Sequence, residues 1–145
     1  MAMAYRTGPI LRHQVDKAYR LIEIIEYPID LAQWRSICER DFNRRHVAST
    51  HGSIVTVENS IGYVQGISIA RPGSDTNYGH ILDVPVFIVA TAADTVGVSN
   101  ALLSHLNAMG RADNCSYMIV ANIDPNVWPE KGSDPRKGIV IPITA

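Results

Sequence analysis

The apolar positions of this chain change period several times, and each change marks an element. Gly8-Pro9-Ile10-Leu11-Arg12-His13 reads as a short first strand. Val15, Ala18, Tyr19, Ile22 and Ile25 then recur at the spacing of one helical face. Pro28 stops that helix, because it carries no amide hydrogen for the next backbone bond. Asp30 offers a side-chain oxygen to the free amides of a second helix, which turns Leu31, Trp34, Ile37 and Cys38 inward. Arg40, Arg44 and Arg45 gather towards its C-terminal end, where the helix dipole favours cations.

Strand patterning follows. Ser53-Ile54-Val55-Thr56-Val57-Glu58 is rich in β-branched residues, and Asn59-Ser60-Ile61-Gly62 supplies turn chemistry. Residues 63–70 alternate and return as the hairpin partner, and the polar stretch 72–79 reads as a loop. Residues 80–90 form a nearly continuous apolar strand, as expected in the middle of a sheet. Pro85 inside it demands a bulge or a locally unpaired backbone. Residues 101–110 are amphipathic and end on Gly110, which reads as a C-cap. Residues 116–121 and 139–143 are the last two strands.

Composition narrows the classes. The 145 residues, 46% hydrophobic and 19% charged, suit one globular domain over residues 1–145. A formal net charge of −1 lacks the cation surplus that a protein coating nucleic acid needs. No apolar run reaches the roughly 18–20 residues that span a bilayer, so no membrane partner is expected. The N-terminus shows no basic segment ahead of an apolar core, and the two cysteines, Cys38 and Cys115, lie far apart. Both features fit a cytoplasmic protein with reduced thiols. The five histidines have no metal-ligand spacing, so no metal is expected. Gly66-Ile67-Ser68-Ile69-Ala70 looks like a hydrolase nucleophile elbow but falls in mid-strand.

The order β-α-α-β-β-β-α-β-β resembles the GNAT superfamily of N-acetyltransferases, in topology and spacing more than in motif letters. That resemblance implies an α/β (α+β) fold with a mixed, mostly antiparallel sheet flanked by helices. It implies acetyl-CoA as co-substrate and N-acetyl transfer to a small-molecule, peptide or protein amine. In the family a loop with the pattern Gln/Arg-x-x-Gly-x-Gly/Ala precedes a helix bearing a Leu-Leu pair. Counting back from Leu102-Leu103, the loop here is Asp94-Thr95-Val96-Gly97-Val98-Ser99, and the valine before it is Val89. The resemblance places the diphosphate against Thr95, Val96, Gly97, Val98 and Ser99, and the pantetheine arm against the backbone of Val89, Ala90 and Thr91. Free amides and a helix dipole at such a start suit an anion, and Ser99 would add a hydroxyl donor.

Asp94 departs from the pattern. A carboxylate about 5 Å from a phosphate charge, at an effective dielectric of about 20, repels it by roughly 3 kcal/mol before screening. Asp94 or Thr95 can instead cap the helix with the amides a phosphate would use. The general base implied by the resemblance is Asp83, the one carboxylate in an otherwise apolar strand. Near the family's acidic tyrosine stands Trp128, in a stretch from Asn122 to Gly132 broken by Pro125 and Pro129. Tyr117 and Tyr78 are alternative acids. Trp34, Phe42, Arg45, Tyr78 and His80 are candidates to line an acceptor pocket built by the first two helices and the loop 72–79. Residues 139–143 alone replace two C-terminal strands, so an exposed edge is expected that a second copy, as a homodimer, would cover. The alternative function is a catalytically inactive GNAT-fold binding or structural module; a small-ligand sensor using the same cleft is a third.

Overall fold

A computed structural model describes residues 4–24, 28–48, 53–91, 93–121, 132–134 and 138–144. The elements are β1 (Tyr5–Pro9), a 3-10 turn (Arg12–Gln14), α1 (Val15–Ile24), α2 (Leu31–Ala48), β2 (Ile54–Asn59), β3 (Val64–Asp75), β4 (Gly79–Val89), α3 (Thr95–Ala112), β5 (Tyr117–Val120), β6 (Gly132–Asp134) and β7 (Gly138–Pro142). They form a seven-stranded sheet in the order β1-β2-β3-β4-β5-β7-β6. Its pairs are antiparallel apart from β4 and β5, which run parallel. The expected mixed, mostly antiparallel sheet is therefore present.

The alternation of each strand divides the core in two. On one face Val55, Val57, Leu82, Val84 and Phe87 pack against Val98, Leu102 and Leu106 of α3. On the other, Ile54, Ile67, Val86 and Ile88 pack against Ala18, Ile22 and Trp34 of α1 and α2. The fully buried Trp34 donates its indole N–H to Val15 O at 2.8 Å, which ties α2 to α1. Asp30 caps α2 as expected. Its Oδ1 accepts Gln33 N–H at 2.8 Å, while Gln33 Oε1 accepts Asp30 N–H at 2.7 Å, a reciprocal capping box.

Several boundaries differ from the sequence reading. The first strand is Tyr5–Pro9, laddered from Tyr5–Asn59 to Pro9–Val55, and the chain then turns away. Gln14 closes that turn by accepting Leu11 N–H at 2.9 Å. The period ends at Ile24, and Ile25 lies outside the described residues. The stretch 72–79 is mostly strand: β3 stays paired with β4 as far as Asp75–Gly79. Arg71 to Ser74 are exposed although Ile81 and Leu82 opposite them on β4 are buried, so this end of β3 shows no apolar alternation of its own. The turn itself is held by Asp75 Oδ1, which accepts Asn77 N–H at 2.8 Å.

α3 starts at Thr95, directly after the cap expected at Asp94, and does not stop at Gly110. That glycine lies inside the helix, where a Cβ would sit 2.6 Å from Ile143 Cδ1. The end comes at Asn114, whose φ of 58° takes the left-handed position, with Cys115 N–H returning to Gly110 O at 2.8 Å. The strand expected to be missing after the last helix is present, and the sheet's edge on this side is β6 rather than β7. β6 pairs along the outer side of β7, from Gly132–Val140 to Asp134–Gly138.

Candidate active site

Pro85 has the effect expected of it. Ile69 pairs with Val86 and Arg71 with Asp83, so Ala70 of β3 faces both Val84 and Pro85 of β4. This bulge reverses the alternation of β4. Before it, Asp83 points to the α1/α2 side of the sheet with Ile81; after it, Val86 and Ile88 do.

The same place is where β4 and β5 part. Their pairing runs from Ile81–Tyr117 to Val84–Val120, and Ala121 N–H reaches Val84 O at 2.9 Å. β4 continues to Val89 paired with β3 alone among the described residues. Ala90 N–H donates to Gln65 O at 2.8 Å, which fixes the phase of that ladder. Alternation then directs the backbone groups of Val86 and Ile88 towards β3, and those of Phe87 and Val89 into the fork.

Of the three residues expected at a pantetheine arm, Val89 alone turns its backbone into the fork. The Ala90 amide is spent on Gln65. Thr91 serves the turn: its hydroxyl accepts Ala93 N–H at 3.3 Å and its carbonyl accepts the Thr95 hydroxyl at 3.1 Å. Phe87 was not foreseen. The signal was present in Pro85, since a bulge shifts by one every backbone group beyond it.

Asp83 lies beside the vertex of the fork and is exposed. It stands opposite Arg71 on β3 and Ile119 on β5. The floor around it is Ile81, Ile119 and Val140, with Tyr78 and Tyr117 packed edge to face at 5.4 Å and 62°. Tyr117 shares a sheet face with Asp83; alternation puts His80 on the opposite one. Trp34 is fully buried in the α1/α2 core, whereas Phe42, although buried, lines a surface cleft with Arg12, Val15, Cys38 and Glu39 between α1 and α2. The side chain of Arg45, and Ala92, Asn122 and Trp128, lie outside the described residues. Among the described residues no three His, Cys, Asp or Glu side chains gather as a metal site.

The head of α3 is built differently. Asp94 is its N-cap: Oδ1 accepts Gly97 N–H at 3.1 Å, and Oδ2 accepts the Tyr5 hydroxyl at 2.5 Å. That hydrogen bond, with burial and the nearby negative charge adding to it, pushes the Tyr5 phenol up to about 12. A Cβ on Gly97 would overlap the Asp94 carboxylate, so this glycine makes room for the chain's own anion. Val98 and Ser99 are buried against the sheet, which keeps the Ser99 hydroxyl from an outside ligand. Thr95 is half-buried and Val96 exposed. A pantetheine arm suits the fork, whose backbone groups, unpaired with any strand among the described residues, can pair with its amides. A diphosphate does not suit this helix head as it stands, because a carboxylate already holds the place.

No protein-family model and no curated protein matches the sequence. Solved structures match its shape. A GNAT family acetyltransferase from Staphylococcus aureus superposes with a TM-score of 0.63 over 91% of this chain and 94% of its own, at 13% identity. The NatC complex bound to Gag peptide and CoA contains a chain that matches with a TM-score of 0.65, over 98% of this chain and 100% of that one, at 12% identity. A GCN5-related N-acetyltransferase from Kribbella flavida matches 88% of this chain with a TM-score of 0.64 at 12% identity, and the match spans 32% of that longer protein.

Proposed function

We propose, for a chain that has the GNAT fold, that it transfers an acetyl group from a coenzyme A thioester to an amine, with Asp83 as the base. The observation that carries this reading is the fork. The sheet opens beyond Val84–Val120, the backbones of Phe87 and Val89 face the opening, and an exposed carboxylate stands at its vertex. The NatC structure of the same shape holds CoA, which supports a thioester as the donor.

The residues divide the work by chemistry. An ammonium group has no lone pair, so the acceptor must first lose a proton. Asp83 can take it directly or through a water, being open to solvent and one residue from the fork. The amide N–H groups of Phe87 and Val89 can hold the acyl carbonyl and stabilise charge on its oxygen. The C–N bond forms and the C–S bond breaks. The departing thiol has an ordinary pKa near 8.5, so solvent or the Tyr117 hydroxyl can return its proton. The acceptor is an amine, small-molecule or peptide, received over the Tyr78–Tyr117 side of the sheet.

Thiol release from acetyl-CoA, measured across small amines and peptide N-termini, tests the proposal. Transfer to at least one amine is expected, and Asp83→Asn should lower it while leaving coenzyme binding unchanged. No transfer to any amine, or full turnover in the variant, would overturn it. The second reading, a catalytically inactive binding module, is favoured by one feature, the carboxylate seated at the head of α3.

A further inference from the structure

We infer that Asp94 is this chain's own anion at the head of α3, and that the acyl donor is recognised through its pantetheine arm, so thioesters lacking the nucleotide and diphosphate serve as well as those that carry them. The inference rests on the acyl-donor reading above and narrows its substrate class.

Three independent features support it. The carboxylate is held at both oxygens, by Gly97 N–H from α3 and by the Tyr5 hydroxyl from β1, 89 residues away along the chain. A carboxylate fixed by two donors from separate elements is a built contact rather than a loose loop side chain. Gly97 is matched to it as well, since any side chain there would displace the carboxylate. Finally, no lysine or arginine occurs from residue 91 to residue 104, so this stretch of loop and helix supplies no cation to offset a second anion. A diphosphate would have to expel Asp94 from both bonds, or sit against its charge; either loss cancels what the helix amides offer. Among the described residues no strand fills the fork, and the amide donors that face it match the carbonyls of the pantetheine arm.

The test compares coenzyme A with pantetheine by calorimetry on the wild type, Asp94→Gly and Tyr5→Phe. Glycine is tolerated at an N-cap at little cost in stability, and Tyr5→Phe leaves the cap in place while loosening the carboxylate. In the wild type the two ligands should bind within about ten-fold of each other. In Asp94→Gly coenzyme A should tighten by about ten-fold or more while pantetheine is unchanged, with Tyr5→Phe between the two. A wild-type preference for coenzyme A beyond about ten-fold, or a ratio unmoved in Asp94→Gly, overturns the inference and leaves the acyl-donor reading standing. Binding of neither ligand by any of the three proteins overturns both.

Discussion

Two places at the C-terminal end of β4 leave backbone donors without a partner in the regular structure, and the chain treats them in opposite ways. At the head of α3 the first-turn amides meet Asp94, which takes Gly97 N–H and is itself held by Tyr5. At the fork Phe87 and Val89 face a gap with no strand beside them among the described residues. Helix heads and split strands both attract ligands, for the same reason: unpaired polar groups seek partners. Here the helix head holds a carboxylate of the chain itself on Gly97 N–H, and among the described residues the fork holds no neighbouring strand. A fold therefore fixes where donors converge, but single side chains decide which of those places stays available.

The comparison can be broken most severely at the fork. Asp83→Asn removes the proposed base from its vertex, and the acetylation rate should fall by about a thousandfold, within the usual range for general-base loss, with donor affinity unchanged. A smaller fall, under about ten-fold, would remove Asp83 from that role. The structural side of the fork is the next target. Gly138 has a φ of 122°, and a Cβ there would overlap Val120 O at the last residue of β5. Gly138→Ala should cost about 3 kcal/mol in urea unfolding, through strain and displacement of β7 from β5. A stability equal to wild type would mean that the β5–β7 register is not rigid.

At the helix head the expected effects are smaller. Gly97→Ala evicts the Asp94 carboxylate and forfeits its cap, a loss of about 1 kcal/mol, while alanine adds about 1 kcal/mol of helix propensity. Net stability should barely change, but the Tyr5 phenol should fall back from about 12 towards 10.0. Absorbance titration of the tyrosines would show that shift, and its absence would mean that Asp94 stays in place. The smallest effect concerns alkaline stability. A phenol raised in the folded state contributes stability below its unfolded pKa, and that contribution is lost as pH rises through the folded value. The Tyr5 contribution should thus be complete below pH 10.0 and disappear through about 12, and Tyr5→Phe should lack that part of the decline. Identical alkaline melting profiles for the two proteins would contradict it.

Much of this architecture is legible in the order of residues, because periodicity and punctuation are local. Pro28 and Asp30 mark the passage from α1 to α2, and Pro85 announces the bulge that moves Phe87 into the fork. What the sequence hides depends on partners far along the chain. The end of β3 from Arg71 to Ser74 is exposed and carries no apolar alternation, so residues 72–75 look like a loop. Gly110 looks like a helix end because nothing local shows that Ile143 needs the space. Asp94 could be read as a cap from its position, but its anchor, Tyr5, lies 89 residues away.

Amide chemical shifts followed during a titration with coenzyme A put the contrast between fork and helix head to its most direct test. The account predicts that the Phe87 and Val89 amides move while that of Gly97 stays fixed on Asp94. Movement of the Gly97 and Val96 amides, with Phe87 and Val89 unmoved, would contradict it.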